Sequence, residues 1–248
     1  MWATQIPSES SSYDDLVTGK IPAVIIPGIL SKTECESLSH KIPHIHTKIK
    51  NPGKFGTSLS SHIYEKSTYF SNAQTSNDLL KKIFAQNTSP LITMRETISK
   101  IFQKQLTTAT ENGMTYSDAV IRIHENNDSV HLHRDNSNFE MSEYNVSKLK
   151  NQLSAILYLQ SPEKGGELKI FNKIWNKNDE YLREPDFGYS SDLVKDVNWT
   201  NISPVEGNMV ILNPKFYHQI ESVSGFRPRI SIGFFFGELF KNYLCSWS

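Results

Sequence analysis

The segment Val130-His-Leu-His-Arg-Asp-Asn-Ser-Asn-Phe139 sets an imidazole and a carboxylate two positions apart, at His133 and Asp135. On an extended strand such positions share a face, so both groups can converge on one point. A third donor is available from His218, 83 residues beyond Asp135, in Asn213-Pro-Lys-Phe-Tyr-His-Gln-Ile. Two histidines and one carboxylate occupy one face of an octahedron and leave the other positions open, the donor set of non-haem iron oxygenases. Zinc accepts the same ligand types. A zinc hydrolase of the common kind carries them as His-Glu-x-x-His on a helix, a motif this chain lacks.

A His-x-Asp pair alone is weak evidence in a chain with eight histidines, so its context decides. Eleven residues after His218 comes Arg229, followed by Ser231. The two share a strand face, and a guanidinium fork beside a hydroxyl suits the distal carboxylate of a dicarboxylic acid. Arg227 competes for that role, but Pro228 between them places the start of the strand after it.

The order and spacing of these motifs resemble the iron(II)/2-oxoglutarate-dependent oxygenases. Gln152-Leu-Ser-Ala-Ile-Leu-Tyr-Leu and Gly165-Gly-Glu-Leu add a likeness to the prolyl-hydroxylase-type pattern. Closer still are the freestanding halogenases of hapalindole-type indole alkaloids. That likeness is carried by Gly165-Gly-Glu-Leu, Val205-Glu-Gly-Asn-Met-Val-Ile-Leu-Asn, Phe216-Tyr-His, Arg229 to Gly233 and Trp247-Ser248, with Ala23-Val-Ile-Ile-Pro-Gly and Lys54-Phe-Gly-Thr before them. It covers most of the chain, thinly before residue 118.

The resemblance implies a mainly β fold with flanking helices, a double-stranded β-helix (jelly-roll, cupin-like). It implies iron(II) on His133, Asp135 and His218, and 2-oxoglutarate as co-substrate with its far carboxylate on Arg229 and Ser231. Tyr158 would add a phenol hydrogen bond to that carboxylate. Molecular oxygen would be the oxidant, with 2-oxoglutarate leaving as succinate. One departure bears on the chemistry. The similar halogenases have glycine where this chain has Asp135, and the missing carboxylate opens a coordination position for chloride. With the carboxylate present, hydroxylation of an unactivated C–H bond is expected in place of halogenation. Desaturation or ring closure would need only a different fate for the substrate radical.

These groups need elements to hold them. Ala23–Ile26 reads as a first strand, and Ser31-Lys-Thr-Glu34 is a capping box that opens a helix to about Lys41. Helical stretches follow near 77–85 and 89–105; in the second, Leu91, Met94, Ile98 and Ile101 form an apolar stripe that reads as core. From residue 118 the period changes. Strands are expected at Ala119–His124, Ser154–Leu159, Glu167–Phe171, Asn208–Leu212, Tyr217–Val223 and Arg229–Phe236, with Gly165-Gly166 and Glu206-Gly207 as turns. Helices first and strands after imply a helical layer on a sheet structure. The expected organisation is one domain over residues 1–248, with a polar, Ser-rich arm over 1–20 and a β-helix core over about 118–237.

The stretch 172–206 is long and polar yet carries Trp175, Tyr181, Phe187, Tyr189 and Trp199, so it reads as a lid over the site or an insertion packed on the flank. Trp175, Phe187 and Tyr189 are therefore candidate substrate contacts. His131 joins them because it stands two before His133. Asn136, directly after the ligands, binds substrate or makes the turn.

Net charge is zero with 26 basic and 26 acidic residues, which speaks against nucleic acid as the main partner and so against a nucleic-acid dealkylase. Cys35 and Cys245 are too distant for a disulfide framework and suit a reducing cytoplasm. No targeting segment and no membrane-length apolar run is visible. The expectation is a cytoplasmic monomer or homodimer acting on a freestanding small molecule of specialised metabolism, with no nucleic-acid or membrane partner. An amino-acid or peptidyl substrate is the close rival.

Overall fold

Alternation of side chains builds the scaffold. In the strand Lys150–Gln160, Leu153, Ala155, Leu157 and Leu159 point into one core, while Ser154, Ile156 and Tyr158 point the other way. In Arg229–Phe240, Ile230, Ile232, Phe234 and Phe236 join the same core, and Arg229, Ser231, Gly233 and Phe235 take the opposite face. Each strand thus presents hydrocarbon to a helical layer and polar groups to the inside of a barrel. The computed structural model describes residues 2–5, 11–46, 53–85 and 89–248.

The larger sheet runs Ala23–Ile26, Met209–Leu212, Lys150–Gln160, Arg229–Phe240, all antiparallel. The free side of the last strand pairs with Val120–His124 through its first half and with Tyr243–Trp247 through its second. Lys54–Phe55 adds on beyond Val120–His124, and Gln105–Thr108 lies parallel to Tyr243–Trp247. A smaller antiparallel sheet, in the order Trp199–Ile202, Leu168–Ile174, Phe216–Ile220, Val130–His133, faces it. The two sheets form the expected jelly-roll.

Helices cover the outer face of the larger sheet. Ser31 caps Lys32–His46 reciprocally: its hydroxyl accepts from the Glu34 amide at 3.3 Å, and the Glu34 carboxylate accepts from the Ser31 amide at 2.8 Å. Pro90–Phe102 starts on a proline, ends on Gln103 in the left-handed region (φ 52°), and buries Leu91, Met94 and Ile98 as its stripe requires. The helix expected near 77–85 begins earlier, at Lys66. Its first half is rich in Ser, Thr and Asn, weak helix formers, but Tyr69, Phe70 and Ala73 lock into a second core with Tyr116, Tyr144 and Trp247.

Two further expectations concern the N-terminal arm and the stretch 172–206. The polar arm packs on the fold where it is described: Gln5 bridges to Val24, Trp2 packs 5.2 Å from Phe216, and Ser11–Val17 is a helix that buries Tyr13 and Leu16. Those apolar residues among serines and aspartates pull the segment onto the sheet; residues 6–10 lie outside the description. The stretch 172–206 is a packed insertion. Trp175, Tyr189, Leu193, Val194 and Val197 cluster with Phe171 on Leu132 and Tyr217, and Trp199–Ile202 extends the smaller sheet. Among the described residues no helix is long and apolar enough to cross a membrane.

Candidate metal centre

His133 and His218 stand opposite each other in the smaller sheet, their ring centroids 4.2 Å apart. The Nδ1 of His133 lies 2.8 Å from the His131 carbonyl, and that of His218 lies 2.8 Å from the Phe216 carbonyl. A carbonyl only accepts, so each Nδ1 carries a proton and each ring turns its Nε2 toward the barrel. The Asp135 amide donates to the Pro214 carbonyl at 2.8 Å, which ties the loop after His133 to the turn before His218. That turn is itself fixed: the Asn213 carboxamide donates to the Leu16 carbonyl and accepts from the Lys215 amide.

The three side chains offer ligand atoms that all lie within 4.8 Å of one another. Asp135 Oδ2 is 3.4 Å from His218 Nε2. With Nδ1 committed to its carbonyl, such an approach calls for a cation between the two atoms, either a second proton on Nε2 or a metal ion. Burial first, and then the neighbouring imidazole of His218, push the His133 pKa down to about 4. Burial works against the charged form of Asp135, but the close His218 contact and the fields of His133 and Arg122 outweigh it and hold its pKa near about 2. Two neutral imidazoles and an ionised carboxylate are the state a divalent metal needs.

The larger sheet contributes the opposite wall. Arg229 is 0% exposed, and its Nη1 lies 3.2 Å from Ser231 Oγ and 3.3 Å from His124 Nδ1. Among the described residues no hydrogen bond of good geometry reaches its Nε or Nη2 or the buried hydroxyl of Tyr158, whose ring lies 5.0 Å from the guanidinium carbon and whose phenol faces the arginine. A fully buried guanidinium with orphaned N–H groups is costly unless an anion completes it. The arrangement fits a carboxylate held by Arg229, Ser231 and Tyr158. Gly166 permits it: with φ +73°, it passes so close to Arg229 that an added Cβ would lie 2.9 Å from the arginine Cδ.

The cavity between these walls is about 200 Å³, and His133, Asp135, His218, Arg229 and Ser231 all line it. Of the other sequence candidates, Asn136 and Phe187 reach it, the Phe187 ring 5.3 Å from His133. His131 does not. A bulge between the His218–His133 and Ile220–Val130 pairs breaks the alternation, so His131 is exposed and contributes only its carbonyl. Trp175 and Tyr189 do not line it either. They enclose Arg134, whose side chain is 0% exposed, lies 4.4 Å from the Trp175 ring, and pairs with Glu140 at 2.9 Å and Glu180 at 3.2 Å. Glu180 also accepts from Trp175 Nε1 and the Tyr189 hydroxyl. Sequence reading passed over Arg122 and Glu140, which both line the cavity. For Arg122 a signal existed: it alternates with Ile121 and Ile123, on the parity of His124.

Comparison with known proteins decides the affiliation. The sequence profile of the family described as carrier-protein-independent halogenase WelO5 matches residues 1–239. The chain belongs to that family. The WelO5 family falls within the iron(II)/2-oxoglutarate-dependent oxygenases. A curated relative, "Leucinostatins biosynthesis cluster protein S" of Purpureocillium lilacinum, is 24% identical over 165 residues, 64% of this chain and 67% of the relative. Among solved structures, an N-substituted L-amino acid dioxygenase from Burkholderia ambifaria AMMD superimposes with a TM-score of 0.68 at 14% identity, over 96% of this chain and 91% of that one. HygX from Streptomyces hygroscopicus, solved with nickel and 2-oxoglutarate bound, gives 0.57 at 14% identity over 94% and 89%. At such identities these structures bear on the fold, and they share the jelly-roll of this WelO5-family chain.

Proposed function

We propose that this WelO5-family chain hydroxylates an unactivated C–H bond of a freestanding small molecule, with His133, Asp135 and His218 as iron(II) ligands. The observation that carries the reading is the set of two Nε2 atoms and one carboxylate oxygen within 4.8 Å, presented by rings whose Nδ1 protons are already committed. Arg229, Ser231 and Tyr158 hold the distal carboxylate of 2-oxoglutarate with the N–H and O–H groups that otherwise lack partners. Iron(II) with 2-oxoglutarate and oxygen supplies the oxidising power, 2-oxoglutarate leaving as succinate and carbon dioxide while one oxygen atom enters the substrate.

The chain's part is placement and exclusion. His131 and Phe216 fix the imidazole orientations through their carbonyls. Phe187 stands at the rim beside His133 and keeps that side of the site apolar. Retention of the Asp135 carboxylate favours oxygen transfer over halide transfer, because it fills the position that glycine leaves open in the halogenases this chain resembles.

The test is a visible absorption spectrum of metal-free protein given iron(II) and 2-oxoglutarate without oxygen. A weak charge-transfer band that needs both additions and vanishes in His218→Ala is expected. No band from folded native protein would overturn the assignment.

A further inference from the structure

Five of the chain's six arginines have partners. Arg95 pairs with Asp118, Arg134 with Glu140 and Glu180, Arg183 with the same two glutamates, Arg227 with Glu206, and Arg229 with Ser231 and His124. Arg122 makes no hydrogen bond or ion pair with any described residue. It is nevertheless no surface arginine. It sits on the inner face of Val120–His124, directly opposite Ser231 on one side and Lys54 on the other, and its side chain is exposed to the cavity it lines.

Lys54 sharpens the anomaly. Its ammonium donates to the hydroxyls of Ser58, at 2.6 Å, and Ser61, at 3.2 Å, and touches no carboxylate among the described residues. Two cations side by side across a pair of strands repel. Burial, and then the field of Arg122, push Lys54 down to about 8. Two acidic side chains line the cavity: Asp135, committed to the metal in the proposed function, and Glu140, which already serves Arg134 and Arg183. The co-substrate offers no relief, since one of its carboxylates goes to Arg229 and the other to the metal. Among the described residues neither Arg122 nor Lys54 pairs with a carboxylate, and Asp135, whose field reaches Arg122, is taken by the metal in that reading.

Position distinguishes Arg122 from Arg229. The rungs of the inner face run from His124–Arg229 through Arg122–Ser231 to Val120–Gly233, and then toward Phe235 and Trp247. Arg229 closes the buried end, whereas Arg122 stands one rung nearer the accessible part of the cavity. We propose that Arg122, reinforced by Lys54, is the anchor for a carboxylate of the substrate, so that the small molecule oxidised here is an organic acid. A planar guanidinium with its N–H groups free suits a carboxylate, which it binds through two parallel hydrogen bonds. The inference rests on the oxygenase reading and narrows its substrate class.

The test uses the anaerobic iron(II)–2-oxoglutarate complex of the whole chain and, as probes, a series of N-acetyl-L-amino acids with their methyl esters. Binding is followed by calorimetry and by displacement of the charge-transfer band. In the native protein the acids bind more tightly than their esters, by about tenfold or more for the best of them. Arg122→Gln abolishes that preference, Arg122→Lys restores part of it, and 2-oxoglutarate affinity changes by less than about threefold, against a loss of about tenfold or more in Arg229→Gln. If no acid in the series binds better than its ester at millimolar concentration, the proposal is overturned. It is equally overturned if Arg122→Gln weakens 2-oxoglutarate as much as Arg229→Gln does, which would give Arg122 to the co-substrate. The band of the native complex tests the oxygenase reading separately, so the two failures cannot be confused.

Discussion

His133 and His218 face each other across one rung of the smaller sheet, 4.2 Å between ring centroids, each with its Nδ1 bound to the carbonyl two residues before it. The same local device, used twice on paired strands, presents two identical lone pairs to one point. Neither ring depends on a distant partner for its tautomer. Asp135 is different: it sits on a loop, held by a backbone bond to Pro214 and by the packing of its neighbours.

Removing the carboxylate alone tests what it decides. Asp135→Gly keeps both imidazoles and the Arg229 wall, so iron(II) and 2-oxoglutarate should still give the charge-transfer band, with iron held more weakly. Hydroxylated product should fall sharply, and with chloride present a chlorinated product should be detectable by mass spectrometry once a substrate is in hand. A variant that binds both components and yields no chlorinated product would show that exchanging one ligand is not sufficient.

Gly166→Ala separates a turn requirement from a site requirement. A non-glycine residue at φ +73° costs about 1–3 kcal/mol, which urea unfolding would read. The added Cβ also presses on Arg229 Cδ at 2.9 Å, so 2-oxoglutarate affinity should drop as well. Lost stability with unchanged affinity would mean that the glycine serves the turn alone.

The site was legible where chemistry and strand parity coincide. Arg229 and Ser231 lie on one face because the Arg229–Phe240 strand alternates from its first residue. His133 and His218 needed only their identities and a sheet between them. His131 failed because the same parity argument assumes a regular strand, and the bulge at 130–133 carries no local signal. Trp175 and Tyr189 were drawn toward the site as aromatics in an insertion, yet they pack on Arg134, some 41 to 55 residues away in sequence. Such long-range pairing has no periodicity to reveal it. The strands Gln105–Thr108 and Tyr243–Trp247 escaped notice for a similar reason: they are short, and they pair in parallel with each other across the length of the barrel domain.

Arg134 lies between two candidate ligands and is the point where the insertion grips their loop. Arg134→Met should leave Glu180 and Glu140 with the half-exposed Arg183 in place of their buried cation and open the cage of Trp175, Phe139 and Tyr189. Breaking a buried pair of this kind costs about 3–5 kcal/mol, which denaturant unfolding would register. The informative measurement is iron loss to a chelator. It should quicken in Arg134→Met even at temperatures where the variant is fully folded, because Asp135 loses the support on its flank. Unchanged iron retention would confine Arg134 to stability.

His124 gives the protein an acid limb. Burial first, then the charges of Arg229 and Arg122, press its pKa down to about 3 from an ordinary 6.5. The ring is therefore neutral, with Nδ1 placed to accept from Arg229 at 3.3 Å. A depressed histidine pKa means that the unfolded chain binds a proton which the folded chain refuses. Stability from this source is full above about pH 6.5 and falls steadily as the pH drops toward about 3, by a few kcal/mol in all. His124→Gln keeps an acceptor for Arg229 but cannot be protonated, so its unfolding free energy should fall less steeply than that of the native chain between pH 6.5 and pH 4.5. Urea titrations of both proteins at matched pH values read the difference directly. Parallel slopes would mean that other groups carry the acid limb and that His124 is not the proton acceptor the fold excludes.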